Sequence, residues 1–257
     1  MTASTVLPDD HDHVRTLTLN RPEARNAMTP EMQEELLAAF DRAVSDGIRV
    51  LVLTGSGSAF CAGLDLRILQ SMHTASADEH QASAARIVRL FRALWELPLP
   101  TIAVVDGPAI AGGAGLATLC DWTLATPAAK FAYTEARIGF VPAVVSAFLT
   151  LQLGDKRSRD LLLSARLFTA EEAHALGLVS AVVEREELPH RLQALIATLL
   201  ANSPESLAAT KRLLAEQQRP WLDAALDAAL AANAESRQTR DFREGVEAFL
   251  EKRKPNW

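Results

Sequence analysis

A run of glycines in the middle of the chain has the residue types needed to hold a negatively charged oxygen. Gly112-Gly113-x-Gly115 follows an apolar stretch and leads into helix-forming residues. The first N–H groups of a helix have no partner inside it and lie at the positive end of its dipole, so they can bind an oxyanion or a phosphate. The same glycines would also suit a tight turn that needs bare backbone, and the residues alone leave both interpretations open.

A carboxylate lies twenty residues after Gly115, at Glu135 in the segment FAYTEARIGFVP. It is a candidate acid or base, although an exposed carboxylate at the end of a strand is the competing interpretation. Cys61 has no histidine partner in the local sequence, and a small buried filler is the favoured interpretation. The sequence gives no metal-ligand spacing to His73, His80, His174 or His190. The Gly55-Ser56-Gly57 segment is too short for a dinucleotide fingerprint.

Strands and helices alternate along the part of the chain that carries these groups. Residues 14–20 alternate as a half-buried strand does, whereas residues 50–53 and 101–105 are continuous apolar runs, typical of strands buried on both faces. Shorter strands are predicted at 122–125, 131–133 and 181–183. Helices are predicted after Thr29-Pro30, with Met32, Leu36, Phe40 and Val44 on the buried face, over 78–96, and between the Thr169-x-x-Glu172 capping box and Gly177.

Composition limits the class of protein. Of 257 residues, 49% are hydrophobic and 23% charged, a globular balance, and no apolar run is long enough for a membrane span. The net charge of −6 does not favour nucleic-acid binding. Two cysteines cannot form a disulfide framework, and residues 1–12 look like a loose, polar leader without the features of a signal peptide. We therefore expect a cytoplasmic α/β protein with a core domain over 1–190 and a helical region over 191–257 that is either a small C-terminal domain or an oligomerisation arm.

Five segments, in this order and at these spacings, resemble the crotonase (enoyl-CoA hydratase/isomerase) superfamily: LNRPEARNAM, AFCAGLDL, AIAGGAGLA, FAYTEARIGFVP and FLEKRKPNW. The resemblance covers nearly the whole chain. It implies a spiral of ββα units with a C-terminal helical region, assembled as a homotrimer or a dimer of trimers. It also implies an acyl-CoA substrate, with no metal and no cofactor beyond the coenzyme A of the substrate itself.

The resemblance also assigns roles to individual residues. The N–H groups of Leu64 and Gly112 would bind the thioester oxygen, and losing one such donor typically costs about 100- to 1000-fold in rate. Glu135 would be the acid and base. Phe249 and Lys252 would contact the coenzyme A of a neighbouring subunit. The other expected coenzyme A contacts are Arg25, Ala62, Asp65, Leu66 and Arg67.

Gly115 departs from the two-glutamate hydratases, which carry their first glutamate at this position. Either the chain has lost that glutamate, or the space serves a branched acyl group or its water; we favour the second. Glycine here, together with RIGFVPAVVS after Glu135, looks most like the 3-methylglutaconyl-CoA hydratase branch. The leading hypothesis is therefore a hydratase/dehydratase that interconverts 3-methylglutaconyl-CoA and 3-hydroxy-3-methylglutaryl-CoA. A single-glutamate enoyl-CoA isomerase is the alternative, and a non-catalytic acyl-CoA-binding protein is the lesser one.

Overall fold

The computed structural model describes residues 4–71 and 75–257, so His73 lies outside the described residues. The strands are β1 (Val6–His11), β2 (Val14–Leu19), β3 (Val50–Gly55), β4 (Thr101–Val105), β5 (Pro108–Ile110), β6 (Trp122–Ala125), β7 (Lys130–Ala132), β8 (Leu167–Thr169) and β9 (Ala181–Val182). The helices are α1 (Pro30–Ser45), α2 (Leu66–Ser71), α3 (Ala77–Glu96), α4 (Gly112–Leu119), α5 (Ala143–Leu153), α6 (Asp155–Ser164), α7 (Ala170–Leu176), α8 (Leu188–Leu200), α9 (Pro204–Ser236) and α10 (Arg240–Leu250).

Two sheets organise the chain. The larger has the order β1-β2-β3-β4-β6-β9 and is parallel except for β1, which pairs antiparallel with β2. The smaller has the order β5-β7-β8, with β5 and β7 parallel. β4 in the larger sheet is followed almost at once by β5 in the smaller one, and the glycine run of α4 follows β5. The change of sheet therefore places the glycines beside the second sheet.

Most of the predicted elements are confirmed, with two corrections at the start of the chain. The prediction of a loose leader over 1–12 is wrong for its described part, since β1 pairs with β2 along its whole length. Glu35 of α1 fixes the start of β1, because its carboxylate accepts hydrogen bonds from the N–H groups of Thr5 and Val6. The prediction that Val44 lies on the buried face of α1 is wrong, because Val44 is 47% exposed. The buried face of this helix ends at Ala43 instead.

The C-terminal helical region is present and shares its packing with the α/β part. It begins with α8 at Leu188, close to the expected boundary, and Leu222 and Leu226 of α9 belong to the main apolar core. α9 packs on α3 and α5, and α10 packs on α2. Within the described residues no helix is both long enough and apolar enough to cross a membrane.

Candidate active site

The first residue of α4 presents its backbone N–H to a cavity. Ala111, just before the helix, has φ 53° and ψ −125°, a conformation that suits glycine and strains alanine. The Ala111 N–H donates to the Ala132 oxygen at 2.7 Å, which fixes this residue on β7. Because ψ of Ala111 sets the direction of the next peptide, the strained residue aims the N–H of Gly112. Gly112 lines the cavity, and its N–H has no acceptor among the described residues.

A second N–H comes from the loop before α2. Leu64 pairs with Met28 as an isolated parallel bridge, in which Met28 donates to Gly63 and Asp65 donates to Met28. The Leu64 N–H takes no part in this pairing, and in the described chain nothing accepts from it. Ile110 donates to the Cys61 oxygen at 2.9 Å, which joins this loop to β5. The two loops therefore meet where the sequence predicted a pair of donors.

Bare backbone at two glycines allows the loops to meet. A Cβ on Gly113 would lie 2.2 Å from the Cys61 oxygen, and one on Gly63 would lie 3.0 Å from the Ala111 Cβ. Gly63 also has φ +87°. Cys61 is fully buried beneath this contact, and burial raises the pKa of its thiol to about 12. Its predicted role as a filler fits this setting, because a neutral buried thiol is a poor nucleophile.

Glu135 is the acidic group of the cavity wall. It begins the short 3-10 helix Glu135–Ile138, directly after β7, and is only 7% exposed. Its Oε2 atom is buried and has no hydrogen-bond partner within residues 4–71 and 75–257. Burial raises the pKa of Glu135 to about 7, because a low-dielectric setting disfavours the charged form. The exposed-carboxylate interpretation is therefore wrong, and the group can give or take a proton near neutral pH.

These groups surround one cavity of about 350 Å³ with a mainly apolar wall. Of the residues predicted to form the site, the structure brings these into the wall: Arg25, Ala62, Leu64, Leu66, Gly112, Glu135 and Phe249. Asp65, Arg67 and Lys252 lie outside it. The Asp65 carboxylate accepts from Arg21 at 3.1 Å and from the Arg67 N–H at 3.1 Å, so it holds its own loop together. Arg67 and Lys252 are exposed, and their contacts with coenzyme A stay predictions.

Gly115 differs from expectation. The sequence suggested that its space serves an acyl group or a water, but neighbouring side chains fill that space. A Cβ on Gly115 would lie 2.5 Å from Phe91 Cε1 and 2.8 Å from Val145 Cγ1. Phe91 of α3 is fully buried, and Gly115 does not line the main cavity. An aromatic ring thus stands where a first glutamate would begin, and Glu135 has no second carboxylate beside it in the described wall.

The C-terminal helix closes the site within the same chain. A Cβ on Gly139 would lie 2.3 Å from the Asp241 backbone, and one on Gly245 would lie 2.3 Å from that of Ile138. Phe140 and Phe242 pack with ring centroids 5.1 Å apart. α10 therefore lies directly on the turn that begins with Glu135. Phe249, expected beside a neighbour's coenzyme A, stands 59% exposed at the cavity of its own chain.

The sequence interpretation missed three polar residues of the wall, Thr134, Arg137 and Asn233, of which only Asn233 comes from outside the segment around Glu135. Asn233 of α9 is buried and lines the cavity. A signal was present, because Leu222, Leu226, Ala229 and Asn233 follow the spacing of one buried helix face and only the last is polar. A buried amide at the end of an apolar stripe is the kind of exception that marks a site.

Two N–H groups without an acceptor among the described residues line the same cavity as a buried carboxyl with a pKa near 7, an arrangement that suits an enzyme that moves protons next to a carbonyl oxygen. The sequence model of the family "Enoyl-CoA hydratase/isomerase" matches residues 9–257. The chain belongs to that family, and its mixed α/β fold with a C-terminal helical region is the crotonase fold that the sequence predicted.

Relatives and solved structures agree on the family. The chain is 43% identical to a putative enoyl-CoA hydratase of Thermus thermophilus, over 95% of this chain and 97% of that one. It is 35% identical to the 1,2-epoxyphenylacetyl-CoA isomerase of Escherichia coli, over 95% and 94% respectively. The crystal structure of an enoyl-CoA hydratase from Mycobacterium avium has a TM-score of 0.87 and 34% identity, with all of both chains covered. These names include both hydratases and an isomerase.

Proposed function

We propose that this enzyme is a hydratase/dehydratase that interconverts 3-methylglutaconyl-CoA and 3-hydroxy-3-methylglutaryl-CoA, with Glu135 as its single acid and base. The observation that carries the proposal is the Glu135 carboxyl, whose buried Oε2 has no partner in the described part of the chain and which lines the same cavity as Leu64 and Gly112. A carboxyl with a pKa near 7 changes protonation state easily at neutral pH, as a group that first accepts and then donates a proton must.

The proposed hydration proceeds in two proton transfers. The Glu135 carboxylate takes a proton from water while the water oxygen bonds to C3, and the electron pair of the double bond moves towards the thioester oxygen. The N–H groups of Leu64 and Gly112 stabilise the resulting enolate oxygen. Glu135 then gives the proton to C2 and is a carboxylate again. Dehydration runs through the same steps in reverse.

The branched substrate is proposed on sequence and on the shape of the wall. Glycine at 115 together with RIGFVPAVVS is the pattern that resembles the 3-methylglutaconyl-CoA branch. Ile87, Val144 and Val145 supply apolar surface for a methyl-branched chain. No second glutamate is needed for this reaction in the scheme above, because the proton that leaves water is the one delivered to C2.

A single-glutamate isomerase is the second candidate, and Phe91 is the observation that favours it. An aromatic ring over Gly115 removes the position from which a second carboxylate would activate water. A proton shift from C2 to C4 needs only Glu135 and the two N–H donors. A purely acyl-CoA-binding protein is disfavoured. Burying the Glu135 carboxyl lowers stability, and a protein without catalysis would gain no activity in return.

Labelled water distinguishes these functions. The purified enzyme is incubated in H₂¹⁸O with crotonyl-CoA, 3-methylcrotonyl-CoA and 3-methylglutaconyl-CoA, and the products are analysed by mass spectrometry. A hydratase incorporates ¹⁸O at C3, and we expect the highest kcat/KM with 3-methylglutaconyl-CoA. Migration of the double bond without ¹⁸O would establish the isomerase instead. Glu135→Gln is the control, because its residual rate measures the reaction without the proton carrier.

Assembly and location form part of the same proposal. We propose a homotrimer or a dimer of trimers in the cytoplasm, where buried free thiols such as Cys61 and Cys120 stay reduced. Leu214 and Trp221 of α9 are 56% and 44% exposed and lie seven residues apart on one helix face, which gives an apolar surface for a second subunit. Sedimentation analysis tests this, and a monomer at micromolar concentration would contradict it.

A further inference from the structure

Asn233 brings a polar group into the cavity from an element that supplies none of the catalytic groups. Asn233 lines the cavity, although the residue is only 3% exposed. It comes from α9, whereas Leu64, Gly112 and Glu135 come from the loop before α2, the start of α4 and the turn after β7. A substrate that fills the cavity therefore meets Asn233 in addition to those three residues.

The orientation of the Asn233 amide follows from its neighbour. Arg237 Nε lies 3.1 Å from Asn233 Oδ1. A guanidinium group can only donate hydrogen bonds, so the amide oxygen must face Arg237 and the NH₂ group must point elsewhere. Nothing in residues 4–71 or 75–257 accepts a hydrogen bond from Asn233 Nδ2. This NH₂ group is thus a donor with a fixed direction at the cavity wall.

Arg237 is itself held from two sides. Its Nη1 donates to Ser83 Oγ of α3 at 3.0 Å, and its guanidinium carbon lies 5.7 Å from the centre of the Phe140 ring. Burial lowers the pKa of Arg237 to about 10, so the group is still charged at neutral pH. A positive charge behind the amide oxygen polarises the amide and strengthens its NH₂ group as a donor.

We propose that Asn233 Nδ2 binds a carboxylate oxygen at the far end of the acyl group and selects substrates that carry one, with Arg237 as the residue that positions it. The inference rests on the proposed function for the choice of a dicarboxylic acyl group. A carboxylate is favoured over a neutral oxygen because a buried positive charge lies directly behind the donor.

Burial of this donor makes the selection asymmetric. An apolar acyl chain that covers Asn233 Nδ2 leaves a buried donor unpaired, which typically costs about 1–3 kcal/mol. An acyl chain with an oxygen acceptor avoids that penalty and gains a charge-assisted hydrogen bond. Sites built to bond an oxygen therefore reject analogues that lack it much more strongly than apolar pockets reject a missing methylene.

Binding of two unreactive thioesters tests the inference without relying on turnover. 3-Methylglutaryl-CoA and isovaleryl-CoA are saturated and differ by the distal carboxylate, and their dissociation constants are measured by calorimetry. We expect the wild type to bind 3-methylglutaryl-CoA at least tenfold tighter. Asn233→Leu replaces the amide with an apolar side chain of similar size. It should abolish that preference, mainly by weakening the binding of 3-methylglutaryl-CoA. Asn202→Leu, which removes an exposed amide elsewhere, should leave the preference intact.

Two further variants keep the test decisive. Asn233→Asp retains the shape and still accepts from Arg237 but offers an acceptor in place of the donor, so it too should lose the preference, whether or not Asn233→Leu folds. Arg237→Lys loses the Nε contact and should reduce the ratio of the two dissociation constants, which a general loss of stability would not change.

A wild type without preference, or a preference that survives both Asn233 variants, would overturn the inference. That result is independent of the ¹⁸O experiment, which alone decides between hydratase and isomerase.

Discussion

At the scale of the residue, Glu135 is expected to control the rate. Glu135→Gln keeps the size of the side chain and removes its ionisable proton, so turnover of 3-methylglutaconyl-CoA should fall at least about 100-fold, with little change in coenzyme A affinity. In the wild type, kcat/KM for hydration should fall as the pH drops below about 7, because the carboxylate is then protonated before it meets water. Steady-state rates between pH 5 and 9 check both points, and near-wild-type turnover would remove Glu135 from the mechanism.

The same residue should also affect stability. Folding raises the pKa of Glu135 from its ordinary 4.5 to about 7, so the wild type loses stability as the pH rises from about 4.5 to about 7. Glu135→Gln does not titrate. The difference in free energy of unfolding, variant minus wild type, should therefore increase by up to about 1.4 kcal/mol per pH unit between pH 4.5 and 7. Above pH 7 this difference should stay constant. Urea unfolding at pH 5, 6, 7 and 8 measures the difference, which a constant offset would contradict.

Two adjacent glycines should respond differently to substitution. At Gly112 the nearest obstacle to a Cβ is the terminal Cε of Met28 at 2.9 Å, which can move aside. Gly112→Val should fold, yet displace the thioester and lower activity at least about 100-fold. Gly113→Ala places its methyl against the Cys61 backbone oxygen and should lower the melting temperature sharply. Circular dichroism and rates measured on both variants test the pair, and a fully active, folded Gly112→Val would refute the oxyanion assignment.

At the scale of the element, the packing of α3 on α4 decides what Gly115 can become. We expect Gly115→Glu to lower kcat/KM for 3-methylglutaconyl-CoA at least about tenfold, because its side chain must displace the buried Phe91 ring. It should bring no gain with crotonyl-CoA either. Displacing the Phe91 ring should also lower the melting temperature of Gly115→Glu. Gly115→Ser, with its smaller side chain, should lower it less, and adding Phe91→Ala to Gly115→Glu should restore part of the loss. A rise in kcat/KM for Gly115→Glu alone would show that the chain merely lacks a glutamate.

Elements with a regular pattern were predictable, and those defined by distant partners were not. β4 and β6 have the predicted bounds, because apolar runs between turn residues specify buried strands. β1 was missed because Pro8, Asp9 and Asp10 favour a loop, and only pairing with β2 makes them a strand. The two N–H donors and Glu135 were placed by motif. The positions of Phe91 over Gly115 and of Asn233 in the cavity wall were not, because only helix packing brings residues 24 positions before Gly115 and 98 after Glu135 to these places.

At the scale of the whole molecule, the packing of α10 predicts that each chain completes its own site. Glu135→Gln and a chain lacking residues 248–257 should both be nearly inactive, the second because Phe249 is gone. Subunits of the two variants are unfolded together, refolded and assayed. We expect no recovery, since no chain in the mixture has both parts. Recovery to a substantial fraction of wild-type activity would mean that the tail serves a neighbouring subunit, as the resemblance first implied.

The backbone strain at Ala111 sets thermal stability against catalytic rate, because a substitution that relieves the strain also loosens an oxyanion donor. Glycine adopts φ 53° and ψ −125° without the penalty of about 1–3 kcal/mol that alanine bears. Ala111→Gly should therefore raise the melting temperature, because this relief exceeds the roughly 0.4–1 kcal/mol that the added freedom of the unfolded chain costs. The same change frees the peptide that points the Gly112 N–H, and kcat should fall. A selection for thermal stability alone would then enrich Ala111→Gly, a variant that melts at a higher temperature and turns over more slowly.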